Sequence, residues 1–188
     1  NSGTARSQLS SCYLNTFDDS IDGIFDGAWQ EARKSKYAGG LGLDVTPFRS
    51  TGSHIKGTNG ISSGLVPWLK IYNDLLVAVN QGGKRPGAGC AYLEPWHLDF
   101  EDFLNLRRNT GDDRLRCHDM NTASWIPDEF MRRVQNEDAW YYFDPRDTVG
   151  EDGKTLHDCF AEDFDSRYNK LCNQAEEGII KNYRVVPA

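Results

Sequence analysis

Apolar residues first recur at helical spacing between Asp19 and Tyr37, where Ile21, Ile24, Phe25, Ala28, Trp29 and Ala32 fall in phase. Acidic residues occupy the first turn and Arg33, Lys34 and Lys36 the last, so the pattern predicts a helix over 19–37. Upstream, residues 8–16 ("QLSSCYLNT") predict a short strand. A second helix is predicted from Ser62 or Ser63, with Pro67 tolerated in its first turn and Leu65, Leu69, Tyr72, Leu76 and Val79 on one face.

Between these helices, "AGGLGLDVTPF" is a glycine-rich entry into a short extended run, and "RSTGSHIKGTNG" (49–60) reads as a loop. Beyond them the pattern predicts a strand over 90–93, a helix over 98–108, a strand around 122–126, a helix over 127–135 and a strand over 140–143. A last helix carries Phe160, Phe164, Tyr168 and Leu171 in phase. Strands alternating with helices imply an α/β architecture with mostly parallel pairing, in one continuous segment over 1–188 without internal repeats.

Composition narrows the class. The 188 residues are 38% hydrophobic and 26% charged, which is the profile of a globular chain. No apolar run is long enough to span a membrane, and the first residues lack a secretion signal, which suits a cytoplasmic address. A net charge of −7 argues against nonspecific nucleic-acid binding. Five cysteines in no framework spacing are expected to be thiols. The chain opens on Asn1 rather than methionine and reads as a segment of something longer.

Several stretches carry candidate chemistry. "QGGKRPGAG" (81–89) leaves a helix and enters a strand, whereas a phosphate-cradling Walker loop opens a helix with Gly-Lys-Ser/Thr. Here Pro86 removes an N–H donor and no hydroxyl follows the lysine, so a P-loop is excluded and a solvated turn is the alternative. The cluster Gly39, Gly40 and Gly42 closes a helix instead of opening one, which disfavours a dinucleotide fingerprint. Cys117, His118, His157 and Cys159 lack zinc-knuckle spacing, and no Gly-x-Ser-x-Gly elbow marks a hydrolase. His97 in "LEPWH" reads as a helix-start residue with a satisfied hydrogen bond, and Cys12 taken alone as a small buried hydrophobe rather than a reactive thiol, on an alternating strand.

Taken together, four blocks stop being independent: "QLSSC", "GGLGLDVTPFRSTGSHIKGTNGISSGLVPWLKIYNDL", "NQGGKRPGAGCAYLEPWHLDFEDFLNLRRNTG" and "CHDMNTASWIPDEFMRRV". In order and spacing they resemble the large, catalytic subunit family of ribonucleotide reductases, in its class I branch. The resemblance implies the first half of a ten-stranded α/β barrel. It implies that Cys12 is one of two thiols that reduce the ribose of a ribonucleoside diphosphate, with Ser11 and Gly40 contacting that substrate.

It further implies an allosteric site for ATP or a deoxynucleoside triphosphate at a homodimer interface. Asp19 would meet the effector's sugar and Arg49 its phosphates, with Ser53 and Lys56 on the same loop. Gln81 and Arg85 would lie on a second loop that relays effector identity, and the helices over 19–37 and 63–80 would pack on a second copy. The implied partners are a small subunit bearing a metal-radical centre and thioredoxin or glutaredoxin as reductant, with no metal held by this chain.

None of Cys90, Cys117, Cys159 or Cys172 matches the family's radical-bearing or second reducing cysteine, and its ATP-cone has no counterpart here. Two readings follow: a fragment of the reductase, inactive by itself, or a split-gene module for nucleotide binding and dimerisation that a second polypeptide completes.

Overall fold

The computed structural model describes residue 7 and residues 9–79 and 86–188. In chain order these form β1 (Cys12–Thr16), α1 (Ile21–Lys36), β2 (Gly40–Asp44), β3 (Thr51–Ile55), β4 (Gly60–Ser63), α2 (Leu65–Ala78), β5 (Ala88–Leu93) and α3 (Phe100–Leu104). There follow β6 (Asn121–Ser124), α4 (Asp128–Asn136), β7 (Ala139–Phe143), α5 (Ala161–Glu176) and β8 (Tyr183–Pro187), with short 3-10 turns between.

The main sheet is parallel throughout, in the order β1-β2-β5-β6. Its rungs put Cys12, Gly40 and Ala88 in one row, Leu14, Gly42, Cys90 and Asn121 in the next, and Thr16, Asp44, Tyr92 and Ala123 in a third. Side chains alternate across a strand, so these rows share one face while Leu41, Leu43, Ala91 and Leu93 share the other and are buried. α1 and α2 cover the second face, and Leu76 packs so closely on Gly89 that a Cβ there would lie 2.6 Å from its Cδ1. Parallel sheets are normally covered on both faces. The face bearing Cys12 is open.

α1 falls within the predicted 19–37 but begins at Ile21, because Ser20 caps it, its Oγ accepting from the Gly23 N–H at 2.9 Å. Its apolar side splits into two stripes. Ile24 and Ala28 are buried, while Ile21, Phe25 and Trp29 are exposed. Gly27 lets α1 approach α2: a Cβ would sit 2.6 Å from the Phe17 ring and 2.8 Å from the Tyr72 hydroxyl.

Five expectations need revision. The stretch 49–60 is a hairpin rather than a loop, with β3 antiparallel to β4. The second helix starts at Leu65, because Gly64 turns at φ +78° after β4 ends at Ser63. α3 is only five residues long, since the chain turns at Asn105. Phe160 caps α5 and is exposed rather than facing the core. An eighth strand, unpredicted, pairs antiparallel with β7 from Ala139↔Pro187 to Phe143↔Tyr183. Its alternation is too short to stand out without its partner.

Candidate functional site

The residues marked in the sequence fall into two groups at opposite ends of the parallel strands. Cys12 begins β1 and Thr16 ends it, about 13 Å apart at ~3.3 Å per residue. Asp19 follows beyond Thr16.

At the first end, Cys12 is exposed rather than buried as its residue type alone suggested, because it opens β1 on the uncovered side of the sheet, and it pairs in register with Gly40. The Gly40 N–H donates to the Ser11 carbonyl at 2.6 Å, and Ser11 Oγ lies 3.9 Å from Cys12 Sγ. Cys12 and Gly40 line a shallow groove of about 400 Å³ whose floor includes Gly42, Cys90, Tyr92 and Asn121. Two glycines in adjacent rungs of β2 leave the thiol without a wall on that side. The other thiols are less available: Cys117 and Cys172 are buried, and burial pushes both up to about 11.

At the second end, Arg49 Nε donates to Asp19 Oδ2 at 2.7 Å and its Nη2 donates to the Asp19 carbonyl at 3.1 Å. Burial raises the Asp19 carboxyl, against the opposing pull of the Arg49 hydrogen bonds and charge and of the Arg146 charge. Ser53 is buried, its N–H donating to the Ser50 carbonyl at 3.3 Å, whereas Lys56 is exposed in the hairpin turn. Gln81 and Arg85 lie outside the described residues.

Carboxylates that the sequence did not mark hold this second end in place. Asp99 accepts from the N–H groups of Thr51 and Leu65, each at 3.0 Å, so one side chain ties the base of β3 to the N-terminus of α2. There it also complements the helix dipole. Asp144 is buried and accepts from the Ser50 N–H and hydroxyl at 3.2 and 2.5 Å. His97 is fully buried, with Nε2 donating to the Phe48 carbonyl at 2.7 Å and Nδ1 accepting from the Asp99 N–H at 3.0 Å. That arrangement is the satisfied helix-start histidine expected from "LEPWH". It fixes a neutral ring, and burial lowers its pKa further.

His157 is different, because both ring nitrogens meet carboxylates: Nε2 to Asp44 Oδ2 at 2.9 Å and Nδ1 to Glu94 Oε1 at 2.5 Å. Two acceptors require two N–H donors, which is the imidazolium. Burial opposes that charge, but the hydrogen bonds and charges of Asp44 and Glu94 outweigh it and hold the pKa at about 10. Asp44, which also accepts from Thr16 Oγ1 at 2.9 Å, is lowered despite its burial. Glu94, more deeply buried and beside Asp44, is raised. The triad joins the ends of β2 and β5 to the turn before α5. Nothing in the local periodicity marks it, because its members are far apart in the chain.

A family model described as "Ribonucleotide reductase, barrel domain" matches residues 10–186. The chain is 53% identical over its whole length to the ribonucleoside-diphosphate reductase subunit alpha of Chlamydia muridarum, of which it spans 18%. It is 50% identical over 172 residues, 90% of the chain, to the large subunit from Caenorhabditis elegans, spanning 21% of that protein. Against the Danio rerio large subunit the identity is 48% over 190 residues, covering the whole chain and 23% of the relative. The chain thus spans about a fifth of the length of these relatives. With a matching segment that runs through nearly every residue and a parallel four-stranded sheet flanked by helices, the chain belongs to the ribonucleotide reductase barrel-domain family.

Proposed function

We propose that the complete polypeptide carrying this chain reduces ribonucleoside diphosphates to deoxyribonucleoside diphosphates. The observation that carries this reading is Cys12, a reachable thiol beside Gly40 on the open face of the parallel sheet, in a chain of this family. Two thiols that become a disulfide release two electrons and two protons, and the ribose loses one hydroxyl as water. Cys12 supplies one of those thiols, and the second comes from outside these residues. Thioredoxin or glutaredoxin restores the pair by thiol–disulfide exchange, which requires that Cys12 stay accessible. Gly40 and Ser11 shape the approach of the substrate, and the radical that starts the chemistry is supplied by the small subunit.

The other end of the strands binds the effector. Asp19 takes the sugar of ATP or a deoxynucleoside triphosphate, and Arg49 takes its phosphates, since a planar fork of donors matches phosphate oxygens. α2 links the two ends. Its N-terminus is fixed by Asp99 beneath the hairpin, and its C-terminus leads toward Ala88, the register partner of Gly40. Binding at one end can therefore bias the other by no more than the effector's difference in affinity between the states of the protein. The exposed stripe of Ile21, Phe25 and Trp29 on α1 suits contact with a second copy of the subunit.

The test is equilibrium binding of dTTP and dATP to the complete polypeptide and its Arg49→Ala variant across a concentration series. Binding by the wild type that drops about tenfold or more in the variant supports the effector half of the reading; the same affinity in both contradicts it.

A further inference from the structure

The turn after β7 carries an arginine whose charge reaches Asp19. Arg146 lies in the 3-10 turn Pro145–Thr148, with its N–H fixed by Asp144 Oδ1 at 2.8 Å. Asp144 is buried, and its other oxygen holds the N–H and hydroxyl of Ser50, the residue next to Arg49. From this anchored turn, Arg146 Nη1 donates to the His54 carbonyl of β3 at 2.8 Å. Its guanidinium therefore lies along the hairpin that carries Arg49, Ser53 and Lys56.

The charges around it are uneven. Arg49 spends Nε and Nη2 on Asp19. The charge of Arg146 is felt at Asp19 and at Asp147, yet among the described residues no carboxylate lies within ion-pair distance of it. A partly buried guanidinium tied through one nitrogen to a backbone carbonyl keeps donors for an anion, and its backbone anchor limits the side-chain freedom lost on binding. A triphosphate also carries more negative charge than one guanidinium can match, particularly one already facing a carboxylate.

We propose that Arg146 is a second guanidinium for the polyphosphate of the nucleotide bound at Asp19 and Arg49, and that it sets the preference for triphosphates over monophosphates. This rests on the effector-site reading above and adds a residue and a charge rule to it. Lys56, at the exposed tip of the hairpin, can screen the outer phosphate, but it is not fixed in place as Arg146 is.

The experiment measures dissociation constants of dTTP and dTMP for the complete polypeptide and its Arg146→Gln, Arg146→Lys and Arg49→Ala variants, with thermal unfolding to confirm that each is folded. The expected result is a rise of about tenfold or more in the dTTP constant of Arg146→Gln, a change of less than about threefold for dTMP, and partial recovery in Arg146→Lys. Equal weakening for dTTP and dTMP would mean that Arg146 only braces the hairpin, and would overturn the proposal. An unchanged dTTP constant in Arg146→Gln, with binding lost in Arg49→Ala, would overturn it while leaving the nucleotide site standing. Failure of the folded wild type to bind dTTP would remove both.

Discussion

Cys12 and Gly40 face each other as register partners in neighbouring parallel strands, with the Gly40 N–H bound to the carbonyl just before the cysteine. A Cβ on Gly40 would meet its nearest neighbours, the Ser11 carbonyl and Cys12 Sγ, at 3.5 and 3.9 Å. Those are ordinary contacts, so the backbone does not require glycine here. Glycine is otherwise a poor strand residue, which points to space over the thiol as its use. Gly40→Ala is expected to keep or raise stability by up to ~1 kcal/mol while raising the KM for a ribonucleoside diphosphate. Thermal unfolding and steady-state kinetics of the complete enzyme check the two halves separately.

Gly64 is the opposite case. At φ +78° and ψ −161° it occupies backbone space nearly closed to other residues, and a Cβ would overlap Thr51 Oγ1 and the Asp99 carboxylate. Gly64→Ala should cost on the order of 2 kcal/mol or more, and should weaken effector binding because Asp99 loses its grip on Thr51 and Leu65. Denaturant unfolding and dTTP titration of the variant measure both effects.

The His157 triad gives stability a pH signature. The folded imidazolium titrates at about 10 against an ordinary 6.5, so its contribution is complete below pH 6.5 and is lost as pH rises through 10. On the acid side, Asp44 is held below its ordinary 3.8, so its contribution is present above that value and fades as pH falls further. His157→Gln should therefore flatten the decline in stability between pH 7 and 10, read by unfolding at several pH values. An equally steep decline in the variant would assign the loss elsewhere.

Thiol reactivity should follow burial. Iodoacetamide at pH 8 is expected to modify Cys12 first in the native protein and to reach Cys117 and Cys172 only on unfolding, because burial both shields those two and raises them to about 11. Peptide mapping over time would show the order.

Much of this fold was legible because it is local. The acidic first turn and apolar phase of α1 and the Leu65 to Leu76 face of α2 each declare themselves within a few residues. The β3–β4 hairpin did not, since its glycines and serines carry no apolar alternation. β8 did not because its partners on β7 lie 40 to 48 residues away in the chain. At the site, Cys12, Gly40, Asp19 and Arg49 were named through resemblance, and the structure supplied what local sequence could not: the Asp19–Arg49 pair. Asp99, Asp144 and Glu94 went unmarked, and His157 was weighed only as a zinc ligand, because these residues act through partners 34 to 113 residues distant. A carboxylate that holds backbone N–H groups leaves no periodic trace.

The most direct measurement uses prereduced complete polypeptide with its small subunit and cytidine diphosphate, without external reductant, and follows both deoxycytidine diphosphate and the disulfide state of Cys12 by mass spectrometry. The account predicts product in proportion to disulfide that contains Cys12, and no product from a Cys12→Ser variant that still binds dTTP. Product formed by Cys12→Ser at the wild-type rate, or product formed while Cys12 stays a free thiol, would contradict it.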